Sequence, residues 1–510
     1  MGIYDYTQNE KKRIRHNVLL HAVNNLTIER GHTCCVPRSY VRDVVDYFLL
    51  MGEEESAYQE AKKINSEYIS AWESLHDSII GYKRPSDLSV CYLSGPQPQN
   101  DFNELIALGV LPQNIWAFEC DWTTYLNAVA SYDKPVFPQP KIIRMSVEHF
   151  FKQSPKKFDI VYIDACGAIP SNKHALRSVA TLFQYQRLNS PGVLITNFAK
   201  PDINNIDVKN QYIKLIATYL FFKEYPNAKV GFEKDNINIK DMNDFYYRVS
   251  NNFDGFYGDF ISSILSDIPA VIVPLQRFAC IAPYSNIFCK GDMLTEIKET
   301  TIEEINEIKN NSICKWILSL DFMRNKGLSA FRNTFSSICT EILGMDGSWD
   351  ALVKGIKIFI KLKNENAVVA PDVADIRDFF KKTDNFYQFL DKPTISLFYD
   401  MMINQLSYPL HYNTEYCERY IYCAKKTDMF SDLIVFDECR YLYEWLPAIH
   451  QIVNAMKNKS WQYVFRFALD GLVKQRLNYN NEFFFQGSVI PKWESGFSVK
   501  TRKERVRIGD

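Results

Sequence analysis

Short apolar runs alternate with helical patterns in the part of the chain before residue 200. A helical region comes first, since Arg38–Leu50 and Ser56–Ile80 place apolar side chains at three- and four-residue spacing. Five apolar runs then follow, and each is separated from the next by a polar or helical segment. The runs are Leu88–Leu93, Ile115–Phe118, Lys141–Met145, Phe158–Ile163 and Gly192–Thr196.

Continuous apolar strands that alternate with helices are typical of a parallel sheet buried on both faces. The helices predicted after the first four runs are Asn103–Leu108, Trp122–Ala130, Val147–Phe151 and His174–Leu188. The series therefore predicts an α/β fold with a doubly wound, Rossmann-like sheet and right-handed crossovers.

The rest of the chain is predicted to be mainly helical, with one hairpin at Arg419–Phe436. A capping box at Thr301 and Glu304 marks the start of one of these helices. The predicted regions are N-terminal helices (1–80), a Rossmann-like core (81–200), a mainly helical insertion (201–400), a hairpin that completes the sheet (401–440), and C-terminal helices with a basic tail (441–510). We expect the hairpin to pair beside the fifth strand and the insertion to stand over the carboxyl ends of the strands.

Composition narrows the class of protein. Aromatic residues make up 14% of the 510 residues and the net charge is -1, which excludes a chain that is disordered over most of its length. The twelve cysteines contain no Cys-x-x-Cys pair, so we expect free thiols in a reducing compartment and no metal site. Because neither a secretory signal nor an apolar stretch of 18 residues is evident, we expect a soluble cytoplasmic protein without a membrane segment.

Ligands of doubly wound sheets bind beyond the carboxyl ends of the strands. In this chain the loops at those ends carry polar residues, and a single glycine, Gly95, follows the first strand. A glycine there lets the backbone approach a ligand closely. The loops are Ser94–Asp101, Glu119–Asp121, Ser146–Glu148, Asp164–Gly167 and Asn197–Phe198.

Because of these strands and loop residues, the segment from Leu88 to about Phe198 resembles the class I, S-adenosylmethionine-dependent methyltransferases. The resemblance implies methyl transfer from S-adenosylmethionine, with the loop after the first strand under the methionine and ribose, Glu119 on the ribose hydroxyls, and a residue after the third strand beside the adenine. Asp164 and Cys166 would meet both donor and acceptor, as the candidate catalytic residues. The implied cofactor-binding residues are Ser94, Gly95, Pro96, Glu119, Ser146, Val147 and Asp164.

Several alternatives remain open for these residues. The family's first loop usually carries two or three glycines, and an acidic residue like Glu119 also occurs in NAD-binding sheets. Glu119 or Asp121 could instead cap the following helix. Cys166 resembles the nucleophile of cytosine-5 methylases only in part, because Ala165 replaces the preceding proline. His149 and His174 flank the proposed site as candidate general bases.

The acceptor is predicted only as a class. The many residues outside the sheet region favour a macromolecular acceptor. Nucleic acid is the candidate that we consider, and the basic tail would contact its phosphates. Aromatic residues at 407–422 are candidates for lining the acceptor pocket. The alternative is a catalytically inactive methyltransferase-like scaffold or assembly protein, which the glycine-poor loop would fit. The basic residues of the tail are Lys500, Arg502, Lys503, Arg505 and Arg507.

Overall fold

A nine-stranded sheet lies at the centre of the fold. The structure is a computed structural model, and it describes residues 9–50, 52–54, 56–130, 137–170, 175–225, 232–233, 236–237, 242–280, 299–308, 312–327, 348–362, 371, 374, 377–378, 407–444 and 502–509. The strands are β1 (Val90–Leu93), β2 (Ile115–Phe118), β3 (Lys141–Ile143), β4 (Phe158–Asp164), β5 (Leu188–Ala199), β6 (Phe232–Glu233), β7 (Asn236–Ile237), β8 (His411–Tyr412), β9 (Glu418–Ala424), β10 (Thr427–Asp437) and β11 (Val506–Ile508).

The sheet has the strand order β11-β9-β10-β5-β4-β1-β2-β3, with β8 paired to β10, while β6 and β7 form a separate pair. The strands β1 to β5 are parallel, as predicted. One boundary was wrong: β5 begins at Leu188, where the sequence predicted the end of a helix. That helix ends at Gln184, and Gln186 has a φ of 53°, which ends helical geometry.

The distant hairpin completes the sheet. The strand β10 runs antiparallel to β5, from the Met429–Ala199 pair to the Phe436–Gly192 pair. Because Leu433 and Val435 are fully buried in this position, their apolar surface is removed from water and not left on an exposed edge. The predicted pairing of Arg419–Phe436 beside the fifth strand is confirmed.

Helices cover both faces of the sheet. In chain order they are α1 (Asn9–Leu26), α2 (Tyr40–Leu49), α3 (Ser56–Ala61), α4 (Ser66–Ile80), α5 (Gln99–Ala107), α6 (Trp122–Ala130), α7 (Val147–Gln153), α8 (Ala175–Gln184), α9 (Ile206–Glu224), α10 (Met242–Asn251), α11 (Phe253–Asp267), α12 (Val273–Cys280), α13 (Ile302–Glu307), α14 (Ser312–Asn325), α15 (Ser348–Leu362) and α16 (Arg440–Tyr443). The predicted capping box of Thr301 and Glu304 is present at the start of α13.

The two faces have separate apolar cores. Residues of α1 and α5, among them Val18 and Phe102, pack with Tyr162 and Leu433 on one face. Residues of α2, α4, α7, α8, α9 and α11 pack on the other face. The helix α1 begins near the carboxyl ends of the parallel strands, because Lys11 contacts Asp164 there. Its first turns are therefore placed beside the loops that the sequence singled out.

One helical segment, Phe253–Cys280, is long and apolar enough by length and composition to cross a membrane, which corrects the expectation that no such stretch exists. It comprises α11, a π-helical turn at Ile268–Ile272 that contains Pro269, and α12. Because 94% of its most apolar window is buried inside the protein, the segment has the surroundings of a core helix.

The structure corrects the expectation of a basic tail that is free to bind phosphates, because residues 502–509 pack against the rest of the protein. Arg505, whose side chain is 11% exposed, bonds both carboxylate oxygens of Asp432 at 2.9 and 3.0 Å, while Arg502 donates to the hydroxyls of Ser263 and Tyr412. Lys503 and Arg507 pair with Glu418 and Asp428. Three of these four cations form ion pairs within the protein, Arg502 is held by hydroxyl groups, and the segment forms β11 beside β9. Lys500 and the predicted helices between residues 445 and 501 lie outside the described residues.

Candidate functional site

The loop after β1 leaves open space beside its glycine. The Ser94 amide donates to the Phe118 carbonyl at 2.9 Å, which extends the pairing of β1 with β2 by one residue. The next residue, Gly95, has a φ of +56°, in the left-handed region that favours glycine, and nothing lies within 4 Å of the position a Cβ would take. Pro96 is half-buried, and the Tyr92 hydroxyl donates to the Pro98 carbonyl at 2.8 Å, which holds the loop in place.

Glu119 meets this loop from the end of β2. Its amide donates to the Ile143 carbonyl of β3, and its carboxylate receives the backbone N–H groups of Asp121 (2.8 Å), Cys120 and Gly95. Burial raises the pKa of Glu119, and these three amides offset part of the rise. The structure therefore brings Gly95 and Glu119 together at the carboxyl edge of the sheet.

Helix capping next to Glu119 is performed by Asp121. The Asp121 carboxylate accepts the Thr124 amide at 2.7 Å, in the first turn of α6. Glu119 accepts the amides of Cys120 and Asp121 on the α6 side and the Gly95 amide on the other, so its carboxylate lies between α6 and the loop after β1. Of the two helix-capping alternatives, the geometry assigns the capping of the α6 amide to Asp121.

Ser146 has a structural role after β3. Its hydroxyl accepts the His149 amide at 3.2 Å, which caps α7, and its neighbour Val147 is 5% exposed. His149 lies on the exposed side of α7. His174 falls outside the described residues.

Asp164, at the end of β4, is paired with a lysine that the sequence did not single out. Lys11 Nζ lies 2.9 Å from Asp164 Oδ2, and both side chains are less than one-sixth exposed, at 13% and 15%. Burial lowers the pKa of Lys11, but the attraction of Asp164 and Cys166 and the hydrogen bond with Asp164 together outweigh it, and the net shift is upward. The Cys166 thiol donates to Asp164 Oδ1 at 3.2 Å, and Cys166 itself has a φ of 52°. Left-handed backbone is uncommon for a residue with a side chain and concentrates at functional sites.

A second buried ion pair lies beside the first. Arg15, one turn after Lys11, bonds Asp101 at 2.7 Å, and their side chains are 9% and 11% exposed. Asp101 belongs to the first turn of α5, so this pair joins α1 to the loop after β1. Sequence patterns missed Lys11 and Arg15 because charges near the start of an amphipathic helix are ordinarily solvated. Only the position of α1 on the sheet reveals their contacts.

Buried polar atoms continue this cluster across β4, β5, β10 and β9. Asn197 donates to the Tyr162 hydroxyl at 2.8 Å and lies directly opposite Ser431 in the β5–β10 pair. The atoms Asn197 Oδ1, Ser431 Oγ and Tyr422 Oη are buried and have no hydrogen-bond partner among the described residues. Such groups ordinarily bind a water molecule or a ligand. Tyr422, from the predicted aromatic segment, also lies within electrostatic range of Asp164.

The helices that follow β5 hold the loop after β4. The Tyr257 hydroxyl of α11 accepts the Ile169 amide at 3.1 Å and donates to the Ala199 carbonyl at 3.0 Å. The Tyr212 hydroxyl of α9 donates to the Pro170 carbonyl at 2.7 Å. These two hydroxyls therefore contact the carboxyl edge next to Asp164, while the apolar residues of α9 and α11 pack on one face of the sheet. The position of the whole helical insertion stays a prediction.

The order of strands places the predicted residues around one strand end. Because β1 lies between β4 and β2, Gly95 follows the strand that is flanked by those bearing Asp164 and Glu119. Contacts join Gly95 to Glu119 on one side, and on the other side Lys11 joins Asp164 to α1. The arrangement offers a half-buried carboxylate beside an open backbone at β2, and a carboxylate and thiol pair at β4.

Comparisons with known proteins give partial likenesses only. No family model and no curated protein matches the chain. A presumed methylase from Haemophilus influenzae is 17% identical over 26% of this chain and 73% of its own, with a TM-score of 0.19. Magnesium protoporphyrin IX methyltransferase from Synechocystis PCC 6803, solved with S-adenosylmethionine bound, is 15% identical over 31% of this chain and 71% of its own, with a TM-score of 0.18. Both likenesses cover less than a third of this chain.

Proposed function

We propose that the chain binds S-adenosylmethionine at the carboxyl ends of β1, β2 and β3 and transfers its methyl group. The observation that carries the proposal is the contact between Gly95 and Glu119, where open space beside a left-handed glycine adjoins a half-buried carboxylate. Vicinal ribose hydroxyls are two donors that one carboxylate can accept. These residues therefore fit the ribose of a nucleoside cofactor.

When bound, S-adenosylmethionine supplies an electrophilic methyl group on a sulfonium. The chain's own contribution is positioning, since alignment of the reactants accounts for much of the barrier reduction in such a transfer. We assign Ser94, Gly95 and Pro96 to the floor of the donor site, Glu119 to the ribose, and Val147 with the backbone of Ser146 to the adenine side. Asp164 would then orient the acceptor from the end of β4, with Cys166 beside it.

One feature supports an acceptor site on the α1 side of β4. The unpartnered atoms Asn197 Oδ1 and Tyr422 Oη offer one acceptor and one donor near Asp164. We propose a macromolecular acceptor from the amount of chain outside the sheet region, and the paired tail cations give no support for a phosphate-binding arm.

A non-catalytic scaffold is the second candidate. One observation favours it: both acidic side chains of the proposed site are already paired within the protein, Glu119 with backbone amides and Asp164 with Lys11. A scaffold of this kind would keep the sheet and dispense with the cofactor.

A thermal-shift panel with S-adenosylmethionine, S-adenosylhomocysteine and NAD distinguishes the candidates. A ligand that binds the native state at ~100 times its Kd adds ~2.7 kcal/mol to the free energy of unfolding. We expect both sulfur nucleosides to raise the melting temperature and NAD to leave it unchanged. A rise with NAD alone would replace the proposal with a dinucleotide site, and no rise with any of the three would favour the scaffold.

A further inference from the structure

Two buried thiols lie side by side at the edge of the sheet opposite the candidate site. Cys35 lies in the segment between α1 and α2, and Cys439 follows the end of β10. Their sulfur atoms and a carboxylate oxygen of Asp437 all lie within 4.8 Å of one another. Each cysteine is 1% exposed, so the pair belongs to the interior of the protein.

Asp437 holds the two cysteine backbones in place. Its Oδ2 accepts the Cys35 amide at 3.0 Å and the Tyr441 hydroxyl at 2.7 Å. Its Oδ1 accepts the Cys439 amide at 2.8 Å and the Ser190 hydroxyl at 3.1 Å. Because four donors occupy both oxygens, this carboxylate positions the thiols and is poorly suited to bind a metal ion with them.

The neighbouring cysteines are directed elsewhere. The Cys34 thiol donates to the Arg30 carbonyl at 3.6 Å, and the Cys417 thiol donates to the Asn413 carbonyl at 3.1 Å. Cys35 and Cys439 instead hydrogen-bond to each other through their side chains. Cys439 also has a φ of 49°, in the left-handed region that is uncommon for a residue with a side chain. The geometry thus selects one pair out of four cysteines.

We propose that Cys35 and Cys439 form a redox site, which a low-molecular-weight disulfide such as oxidised glutathione converts to an intramolecular disulfide. The Cys35 thiolate attacks one glutathione sulfur, and the first glutathione leaves as a thiolate. The Cys439 thiolate then attacks the Cys35 sulfur of the mixed disulfide and displaces the second glutathione. Two cysteine thiols are oxidised, one glutathione disulfide is reduced, and the two protons end on the glutathione thiols.

The surroundings of the pair make this reaction slow and selective. Burial raises the pKa of Cys35 to about 11, although its hydrogen bond with Cys439 offsets part of the rise, and burial holds the pKa of Cys439 well above its usual value. Little thiolate therefore exists at neutral pH, and reaction requires the segment around Cys35 to open. The product ties this segment to the end of β10 and so restrains α1, which carries Lys11 at the candidate site.

The test is a peptide map of the full chain after incubation with oxidised glutathione. The protein is incubated with oxidised glutathione from pH 7 to 9, quenched with acid and N-ethylmaleimide, and digested with trypsin without reduction. Trypsin releases residues 31–38, which carry Cys34 and Cys35, and residues 427–440, which carry Cys439. We expect the mass of these two peptides joined by one disulfide, at a rate that increases with pH.

Three variants assign the bond. Cys34→Ser should retain the joined peptide, whereas Cys35→Ser and Cys439→Ser should lose it, and Cys91→Ser on β1 serves as the control for a buried cysteine outside the cluster. The proposal would be overturned if the wild type keeps both thiols after oxidation at pH 9, or if the bond persists in Cys35→Ser. It would also be overturned if the untreated protein retains one equivalent of zinc that Cys35→Ser loses, since the pair would then be a metal site. The wild-type and Cys34→Ser maps decide the question even where another variant fails to fold.

Discussion

Lys11 Nζ lies 2.9 Å from Asp164 Oδ2, so the first turn of α1 is joined to the end of the strand that carries the candidate catalytic residues. This contact makes α1 part of the site and not only a cover for the sheet. It also fixes the carboxylate that the proposed mechanism needs at β4.

Replacement of Lys11 by methionine should destabilise the protein by about 2–4 kcal/mol, because Asp164 is left with a buried, unpaired charge. The pKa of Lys11 is raised in the folded state, so its contribution is fully present below the ordinary lysine pKa of 10.5 and is lost as the pH rises through the folded-state value. Urea unfolding at pH 7 and above pH 10.5 measures the effect. Lys11→Arg is the matched control that keeps the charge; equal stability of Lys11→Met and the wild type at pH 7 would show that the contact contributes nothing.

Arg505→Lys should destabilise the protein much more than Arg507→Lys. Arg505 Nη2 bonds both oxygens of Asp432, while Arg505 Nη1 donates to the Tyr420 and Ser431 carbonyls. The single ammonium of lysine cannot reach both groups of acceptors, so we expect a loss of about 3–5 kcal/mol. Arg507 pairs with Asp428 at the surface, with 40% of its side chain exposed, and its replacement should cost less than about 1 kcal/mol. Denaturant titration of both variants measures the difference. Similar losses in both would contradict the structural role assigned to β11.

Cys166 should be protected from alkylation when the donor site is filled. The thiol is exposed and bonded to Asp164, whereas Cys280, at the end of α12, is an exposed cysteine outside the site. With S-adenosylhomocysteine at ~100 times its Kd, almost every site is occupied, so alkylation of Cys166 by iodoacetamide should slow by about tenfold or more. Mass spectrometry follows both thiols in one sample. Equal protection of Cys280 would indicate a global effect on stability, and an unprotected Cys166 would show that this thiol does not border the donor site.

The positions of the strands and loops were predictable because apolar runs of four to six residues that alternate with helices are typical of a parallel sheet. Parallel strands end at the same edge, so the loops that could bind a ligand were predictable as well. The pairing of β10 with β5 was predictable because Leu433–Phe436 is too apolar for an exposed edge. The roles of Lys11, Arg15 and Arg505 could not be predicted, because each depends on a partner in a distant segment. A local pattern cannot distinguish such a cation from a solvated one.

Binding of S-adenosylmethionine should weaken as the pH falls. The loss of affinity should begin at a higher pH than it would if Glu119 had the ordinary pKa of a glutamate. Burial raises the pKa of Glu119 above its usual 4.5, and the protonated side chain can no longer accept both ribose hydroxyls as a charged group. Affinity measured from pH 7 down to pH 5 should therefore fall in the wild type. Glu119→Gln should bind more weakly at pH 7 and lose this dependence; a Glu119→Gln profile parallel to the wild type would assign the titration to another group.

Calorimetry of S-adenosylmethionine binding to Glu119→Ala tests the central claim most directly. The loss of two charge-assisted hydrogen bonds should cost about 2–4 kcal/mol, which is roughly a 30- to 1,000-fold rise in Kd, while the fold survives. Asp121→Ala is the matched control, because it removes the carboxylate that caps α6 two residues away and should change Kd little. Unchanged affinity in Glu119→Ala, with measurable binding to the wild type, would contradict the assignment of Glu119 to the ribose.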